Sequence, residues 1–307
     1  MFRIVEFPSQ GATLRGRLYF REKTSRPSPV VVMAHGTSAT ITMVADRYAE
    51  VLYSAGFAIL LYDHRNFGMS GGTPRQQINP WVQARGYRDA ITFVESLPEI
   101  DRTKIALWGD SYSAGQVIVV GAIDPRVKAI VAQIPAVGGE SPPTDTDGSL
   151  FADIRETLLH GDVVVSSSPE TTTGPIPVVS SDQLGTPSLL TPISAYRWFI
   201  EYGGRHGTNW LNWCTRVIPK TPAPYHPGIC AAHLIAPTLF MIAPEDEMPG
   251  SNPAVSQKAF EAAPESKELF EIGGGHYGLL HYPSELFDQA SSVQRDFLVR
   301  HLPIQTY

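Results

Sequence analysis

One short run of residues has the spacing of a reactive serine on a tight turn. Ser111 stands in Gly109-Asp-Ser111-Tyr-Ser113, between an apolar β-type stretch and a helix-like segment. A sharp strand-to-helix turn exposes the serine oxygen and needs small neighbours. Ser113 replaces the second glycine of the strict five-residue pattern, and the next glycine is Gly115. Because serine is also small, the run predicts Ser111 as a nucleophile.

Two other interpretations of this turn stay open. Ser111 could simply cap the helix that begins at Tyr112, which is a common use of serine at such a junction. Ser113 could be the nucleophile if the turn were shifted by two residues. It would then lie inside the first helical turn.

A serine hydroxyl needs a base to take its proton and an acid to orient that base. Asp246 follows the apolar run 237–243, and His276 follows three glycines at the end of another short strand pattern. We predict that these two residues complete a Ser-Asp-His triad, in the chain order typical of α/β hydrolases. The sequence predicts solvated roles for the adjacent Glu245 and Glu247, and His281 is the rival base.

Acyl chemistry also needs donors for the oxyanion that develops on the carbonyl. Tyr112 follows the nucleophile and Thr37 follows the first central strand, so their backbone N–H groups are the predicted pair. His35 has no metal-binding partner at ligand spacing, which indicates a structural role within this loop. The glycine-rich run 63–72 lacks nucleotide-binding patterns and predicts a turn bordering the site. We expect no metal and no other cofactor.

The elements that must position these residues alternate between strand and helix. Two short strand patterns before residue 20 predict an antiparallel hairpin, and apolar β-branched runs then alternate with helical segments. This order predicts an α/β-hydrolase fold with a doubly wound, mostly parallel sheet. The predicted strands and helices of this core are strands 29–34, 57–62, 104–108, 127–134, 237–242 and 269–272, and helices 43–55, 81–97, 112–123, 254–263 and 286–300.

The alternation stops between the two halves of this pattern. Residues 136–231 predict an inserted lid of short helices and loops, and residues 1–135 and 232–307 predict the core. Tyr196, Trp198 and Trp210 in the lid are candidates for contact with substrate, although each could equally pack the lid onto the core. Cys214, also in the lid, lacks the surroundings of a nucleophile and predicts packing.

Composition excludes several classes of protein. The chain has 307 residues and a formal net charge of −6, and its lysines and arginines form no stripe, which argues against nucleic-acid binding. The beginning of the chain lacks a secretory pattern, and the apolar runs are too short to cross a membrane. Two cysteines, Cys214 and Cys230, do not make a disulfide scaffold. We therefore expect a cytoplasmic protein, and the sequence leaves its oligomeric state open.

The combined motifs resemble a known group of enzymes. The runs AHGTSATITM, YAEVLYSAGFAILLYDHRNFGMSGGTPRQ, IALWGDSYSAG and DPRVKAIVAQIP are similar to dienelactone-hydrolase-like α/β hydrolases, within them to the polyketide transferase and thiohydrolase branch. By that resemblance Ser111, Asp246 and His276 match the triad positions. The resemblance implies transfer of an acyl chain from the thioester of a polyketide synthase acyl carrier protein to water, an alcohol or an internal hydroxyl that closes a lactone.

Two other functions stay open from the sequence. One is a general carboxylesterase or lactonase that acts on small esters without a carrier protein. The other is a ligand receptor without catalysis on a hydrolase scaffold, because fold does not fix function.

Overall fold

A computed structural model of the protein describes residues 1–21, 26–164 and 170–304. In chain order, its elements are β1 (Phe2–Ser9), β2 (Ala12–Tyr19), β3 (Ser28–Ala34), α1 (Ala45–Ser54), β4 (Ala58–Tyr62), β5 (Gln77–Ile78), α2 (Pro80–Glu95), β6 (Ile100–Asp110), α3 (Tyr112–Ile123), β7 (Val127–Gln133), α4 (Ser149–His160), β8 (Thr172–Ile176), α5 (Ile193–Gly203), β9 (Cys214–Val217), α6 (Pro227–Ala231), β10 (Thr238–Ile242), α7 (Pro253–Ala262), β11 (Lys267–Glu271), a 3₁₀ turn (Gly278–Leu280) and α8 (Glu285–His301).

The main sheet has eight strands in the order β1-β2-β4-β3-β6-β7-β10-β11. β1 and β2 form the predicted antiparallel hairpin, and β2 pairs antiparallel with β4. From β4 to β11 all neighbouring strands are parallel. The predicted α/β-hydrolase fold is therefore confirmed. Each predicted strand and helix of the core is present: helix 112–123 has the predicted bounds, and the other elements have one or both ends shifted.

Continuous apolar runs build strands that are buried on both faces. In β3, Val30 and Val32 face one half of the core, and Val31 and Met33 face the other half. Helices α2, α3, α6 and α7 contribute to the first half, whereas α1 and α8 contribute to the second. This layering holds the carboxyl ends of β3, β6, β10 and β11 at one edge of the sheet, where ligands of such folds bind.

The segment between β7 and β10 contains strands as well as helices and loops. It contributes two strands, β8 and β9, to a second sheet in the order β5-β9-β8. The third strand, β5, lies outside the predicted lid boundaries. The expectation of helices and loops alone was wrong, because four- and five-residue strands paired with distant partners carry no periodic signal. The division of the chain at residues 135 and 231 stays a prediction.

Candidate active site

Ser111 lies on a sharp turn between β6 and α3. Its backbone has φ 53° and ψ −117°, a conformation that costs a non-glycine residue roughly 1–3 kcal/mol and occurs mainly at functional sites. Its side chain makes no capping hydrogen bond to α3, so the interpretation of Ser111 as a helix cap was wrong. The turn is tight enough that a Cβ at Gly109 would lie 2.4 Å from the carbonyl oxygen of Ser113, which explains the glycine there.

Three predicted residues from distant parts of the chain form one hydrogen-bonded row. Nε2 of His276 lies 2.9 Å from Oγ of Ser111, and Nδ1 of His276 lies 2.7 Å from Oδ2 of Asp246. The side chains of His276 and Asp246 are only 2% and 3% exposed. An ionised carboxylate only accepts hydrogen bonds, so Nδ1 carries the proton and Nε2 is free to accept the hydroxyl proton of Ser111.

The turn after β10 holds the carboxylate of Asp246 in one orientation. Oδ1 of Asp246 accepts the backbone N–H of Met248 at 2.9 Å, which leaves Oδ2 for the histidine. Asp246 therefore has both oxygens occupied in the orientation that a triad requires. Glu245 is exposed, as predicted.

Glu247 is exposed, as the sequence predicts, but its carboxylate also binds neighbouring parts of the site. Its Oε2 accepts the backbone N–H of His276 at 2.9 Å, and its Oε1 accepts the hydroxyl of Ser194 at the start of α5. Burial opposes ionisation, but these hydrogen bonds outweigh it and lower the pKa of Glu247. A Cβ on Gly275, which has φ 63°, would lie 2.6 Å from Oε2 of Glu247, so the glycines let the histidine loop approach this carboxylate.

Both predicted oxyanion donors belong to residues that line the cavity in front of Ser111. Thr37 lies in the loop after β3, and Tyr112 begins α3. Ser113, the rival nucleophile, lies away from the base with 0% exposure. Its hydroxyl contacts the carbonyl oxygen of His35 and Nε2 of His64 instead. His281, the rival base, packs its ring beside Tyr202.

Asp110 is a carboxyl in the cavity wall that the sequence analysis did not single out. Burial raises its pKa to about 7, although the nearby His276 and the backbone N–H groups of Asp110 and Gly36 favour the charged form. Its Oδ1 is buried and has no hydrogen-bond partner among the described residues. The acidic residue directly before the serine was the signal in the sequence, because it had to enter the site together with the nucleophile.

A cavity of about 240 Å³ opens in front of the serine and has mainly apolar walls. Ser111, His276, Thr37 and Asp110 are among the residues that line it. The residues that form the rest of the wall are Gly36, Ala39, Ile78, Tyr112, Ala136, Leu189, Leu190, Trp198, Phe199, Arg216, Met248, Pro249, Gly250, Ser251, Tyr277 and Leu280.

Only one of the three predicted lid contacts lies in this wall. Trp198 lines the cavity, and its Nε1 donates to the carbonyl oxygen of Leu280 at 2.9 Å. Tyr196 and Trp210 do not line this cavity and are partly buried against the second half of the core, so their contact with substrate stays a prediction. Trp210 stacks against Phe199, with ring centroids 5.5 Å apart. Composition identified an aromatic-rich segment but not which of its side chains border the cavity.

Cys214, His35 and the glycine-rich run 63–72 lie outside the row of hydrogen bonds. Cys214 is fully buried in the core, and burial raises the pKa of its thiol to about 12. His35 is buried and lies 3.5 Å from Asp63, and Asp63 accepts the backbone N–H groups of Ile41 and Met69. The run 63–72 therefore holds the loop after β3 from behind and does not line the cavity.

Within the described parts of the chain, no helix has the length and apolar character needed to cross a membrane. Cys214 and Cys230 are both free thiols.

The sequence of the chain is similar to a protein-family model and to several known proteins. Residues 25–171 match the family model described as serine aminopeptidase, S33. The chain is 28% identical over 303 residues to the quorum-quenching protein AidA of Acinetobacter baumannii, an alignment that covers 98% of this chain and 95% of AidA. It is 29% identical over 284 residues to a thiohydrolase of Eupenicillium brefeldianum, with 90% of this chain and 87% of that protein covered.

Two further similarities extend along nearly the whole chain. Polyketide transferase af380 of Aspergillus fumigatus is 28% identical over 304 residues, which cover 97% of this chain and 98% of that protein. The solved structure of DcsB in complex with its substrate analogue superposes with a TM-score of 0.70 and 25% identity, over 98% of this chain and all of DcsB. Taken with the sheet order and the family match, these relatives show that the chain has the α/β-hydrolase fold and is an enzyme.

Proposed function

We propose that this enzyme transfers or hydrolyses acyl groups through an ester formed on Ser111. The observation that carries the proposal is the row of hydrogen bonds from Asp246 through His276 to Ser111, which ends at the wall of a mainly apolar cavity. A nucleophile, a base in the correct tautomer and an orienting acid are the minimum set for acyl transfer by a serine.

Acylation uses each of these groups once. Oγ of Ser111 attacks the carbonyl carbon of a thioester or ester while Nε2 of His276 takes its proton. The N–H groups of Thr37 and Tyr112 stabilise the oxyanion of the tetrahedral intermediate. When this intermediate collapses, the bond to the leaving thiol or alcohol breaks and His276 returns the proton to that group. Asp246 stabilises the imidazolium between the two steps.

Deacylation repeats the sequence with a hydroxyl compound. Water, an alcohol or a hydroxyl of the acyl chain itself attacks the acyl carbon, and His276 takes the proton of the attacking oxygen. The bond to Oγ breaks, and His276 returns the proton to Ser111. The products are a free acid, an ester or a lactone, respectively.

The proposed substrate is a polyketide-type acyl chain presented as a carrier-protein thioester. Two supports are the relatives named thiohydrolase and polyketide transferase, which align along most of the chain. A third is the cavity wall of leucine, methionine and aromatic side chains, which suits an apolar acyl chain. An acyl carrier protein is therefore the proposed partner.

The cavity volume favours a second candidate. About 240 Å³ lies below the roughly 300–1,000 Å³ usual for ligand pockets, so a compact acyl group fits better than a long one. Hydrolysis of small free esters or lactones, without a carrier protein, uses the same row of residues and the same cavity.

Labelling with a fluorophosphonate tests the acyl-enzyme. We expect one adduct, which tandem mass spectrometry locates on Ser111, and no adduct in Ser111→Ala. Unfolded protein is the control, because its serines lack an activating base. A folded protein that stays unlabelled at Ser111 would contradict the covalent mechanism.

A second experiment separates the two candidates. Matched acyl groups are supplied on an acyl carrier protein, as short thioesters and as free esters, and the products are identified by mass spectrometry. A kcat/KM at least tenfold higher for the carrier-bound chain supports the carrier partner, and equal values favour the small-ester enzyme. Free acid, ester or lactone in the products identifies the acceptor.

A further inference from the structure

The loop that carries Thr37 makes an unusual set of buried polar contacts with the nucleophile turn. Donors for an oxyanion act through being held in place before the reaction, because a donor that must move gives back much of its stabilisation. Thr37 is two residues from His35, whose carbonyl oxygen accepts the hydroxyl of Ser113 in α3. A side chain two residues beyond the nucleophile therefore ties the two halves of the proposed oxyanion site together.

Ser113 is itself fixed by a third residue. Nε2 of His64 lies 2.8 Å from Oγ of Ser113, and His35, His64 and Ser113 are at most 2% exposed. The His35 carbonyl can only accept, and it lies nearer to Oγ of Ser113 than Oε1 of Gln116, which is 3.4 Å away. The single serine proton therefore goes to the carbonyl, and Nε2 of His64 is the donor in its hydrogen bond with Ser113. Burial lowers the pKa of His64 well below its ordinary value, which keeps the ring neutral.

The ring of His64 has little room to turn. It meets the rings of His35, Tyr62 and Tyr87 edge-on, with centroids 5.1, 5.6 and 5.7 Å away. A buried ring enclosed on three sides keeps its donor at one place. The orientation of Ser113 is thus set from the core, independently of any substrate.

The loop after β3 has little room to move against the turn that carries Ser111. A Cβ on Gly36 would lie 3.0 Å from Cβ of Ser111 and 3.1 Å from the carbonyl oxygen of Asp110. Gly36 therefore packs directly on the nucleophile turn, with Thr37 the next residue along. A shift of the His35 carbonyl moves the N–H of Thr37 relative to Ser111.

We propose that Ser113 and His64 are a positioning pair that holds His35-Gly36-Thr37 against Ser111 for oxyanion binding, and that this is why serine replaces the second glycine of the nucleophile turn. The inference rests on the proposed acyl transfer. Neither residue touches substrate, and both act through the backbone of the loop after β3.

A role in stability alone makes a different prediction from a role in positioning. Loss of any buried hydrogen bond lowers stability, but only a displaced donor weakens the transition state more than the ground state. A trifluoromethyl ketone separates the two. Oγ of Ser111 adds to its carbonyl carbon, the proton goes to His276, and the resulting oxyanion occupies the same site as that of the tetrahedral intermediate.

The experiment compares Ser113→Ala, Ser113→Gly, His64→Gln and His64→Leu in the full chain. For each variant, the acylation rate in a single turnover, the inhibition constant of the trifluoromethyl ketone, KM and the melting temperature are measured. Ser291→Ala is the matched control, because Ser291 is also buried and donates to a backbone carbonyl, that of Asp288, away from the cavity.

We expect both Ser113 variants to lose about 10- to 100-fold in acylation rate and in affinity for the ketone, with KM changed less than threefold. Ser113→Gly restores the second glycine of the strict five-residue pattern. We nevertheless expect its acylation rate and its affinity for the ketone to be no higher than those of Ser113→Ala. His64→Gln keeps an N–H near the position of Nε2 and retains most of the rate, whereas His64→Leu does not. Ser291→Ala changes neither quantity.

A fall in melting temperature without loss of affinity for the ketone would overturn the positioning role. So would equal ketone affinities in His64→Gln and His64→Leu, a comparison that holds even if the Ser113 variants do not fold. Failure of the proposed function looks different, because Ser111 of the unsubstituted protein would then not react with the ketone at all.

Discussion

The loops of the main sheet and the segment between β7 and β10 contribute differently to the cavity. The proposed nucleophile, base, acid and oxyanion donors come from loops at the ends of β3, β6, β10 and β11. The segment between β7 and β10 supplies wall residues such as Leu190, Trp198 and Phe199. We infer that the main sheet carries the groups for the chemistry and that the inserted segment selects the acyl group.

Loss of the nucleophile tests the first half of this comparison most strongly. We expect Ser111→Ala to lower kcat by about 10⁶-fold, because the other groups of a triad contribute little without it. Steady-state assays with a chromogenic ester measure the loss, and circular dichroism checks the fold. Residual activity within 100-fold of the unsubstituted protein would place the reaction on another residue.

Removal of the charge on the acid has the next largest expected effect. Asp246→Asn keeps the shape of the side chain but lets an amide face Nδ1 of His276, which favours the wrong tautomer, so kcat falls about 10⁴-fold. Glu245→Gln is the matched control, because this neighbouring acid is exposed. If Glu245→Gln and Asp246→Asn lost equal activity, the identity of the acid would be wrong.

Asp110, on the main-sheet side of the cavity, is expected to make the free energy of unfolding depend on pH. Its pKa rises from 3.8 to about 7 on folding, so between these values the unfolded chain ionises while the folded chain stays protonated. The free energy of unfolding therefore falls as pH rises through this window, and the loss is complete above about pH 7. Between pH 5 and pH 8, Asp110→Asn should gain on the order of 3 kcal/mol relative to the unsubstituted protein.

Urea unfolding of both proteins across this range measures the difference. The other titratable groups that interact with Asp110 are His276, Tyr48, Tyr87 and Tyr277. Burial raises the pKa of all three tyrosines, so they stay protonated across this range. A constant difference between the two proteins would show that Asp110 stays ionised in the folded state.

A substitution in the inserted segment has the smallest expected effect on the rate of reaction. Its main effect is expected on the preference for one acyl-chain length over another. Leu190→Phe adds volume to the cavity wall, so kcat/KM for long acyl chains should fall about tenfold relative to short chains, the scale of one or two methylene groups in a pocket. Leu184→Phe is the control in the same segment, because Leu184 is fully exposed. Equal losses for all chain lengths would assign this wall a part in the chemistry.

The same contrast governs what the sequence could predict. The strands and helices of the core follow from long apolar runs with regular spacing, and the order of Ser111, Asp246 and His276 follows from turns at the ends of such runs. The row of hydrogen bonds joins these three residues as their order predicts, and their catalytic roles stay a proposal. Asp110 could have been found from its position directly before Ser111, but it had no place in the expected set of catalytic residues.

Long-range pairing explains what the sequence missed. β9 pairs with β5, more than a hundred residues earlier, and Glu247 binds the backbone of His276. Neither contact leaves a pattern in the sequence near it. The face that α5 turns toward the cavity depends on how that helix docks. Composition therefore could not tell Trp198 from Tyr196 on the same helix, or from Trp210, which follows it.

The attachment of α5 has a consequence for exchanging parts between relatives. Trp198 donates to the carbonyl of Leu280, and Tyr202 accepts the N–H of Tyr282, both in the loop that follows His276. A chimera that imports only residues 136–231 from another enzyme would bring a helix without its docking partners. The transferable unit is discontinuous, and it includes residues 276–282 together with the inserted segment.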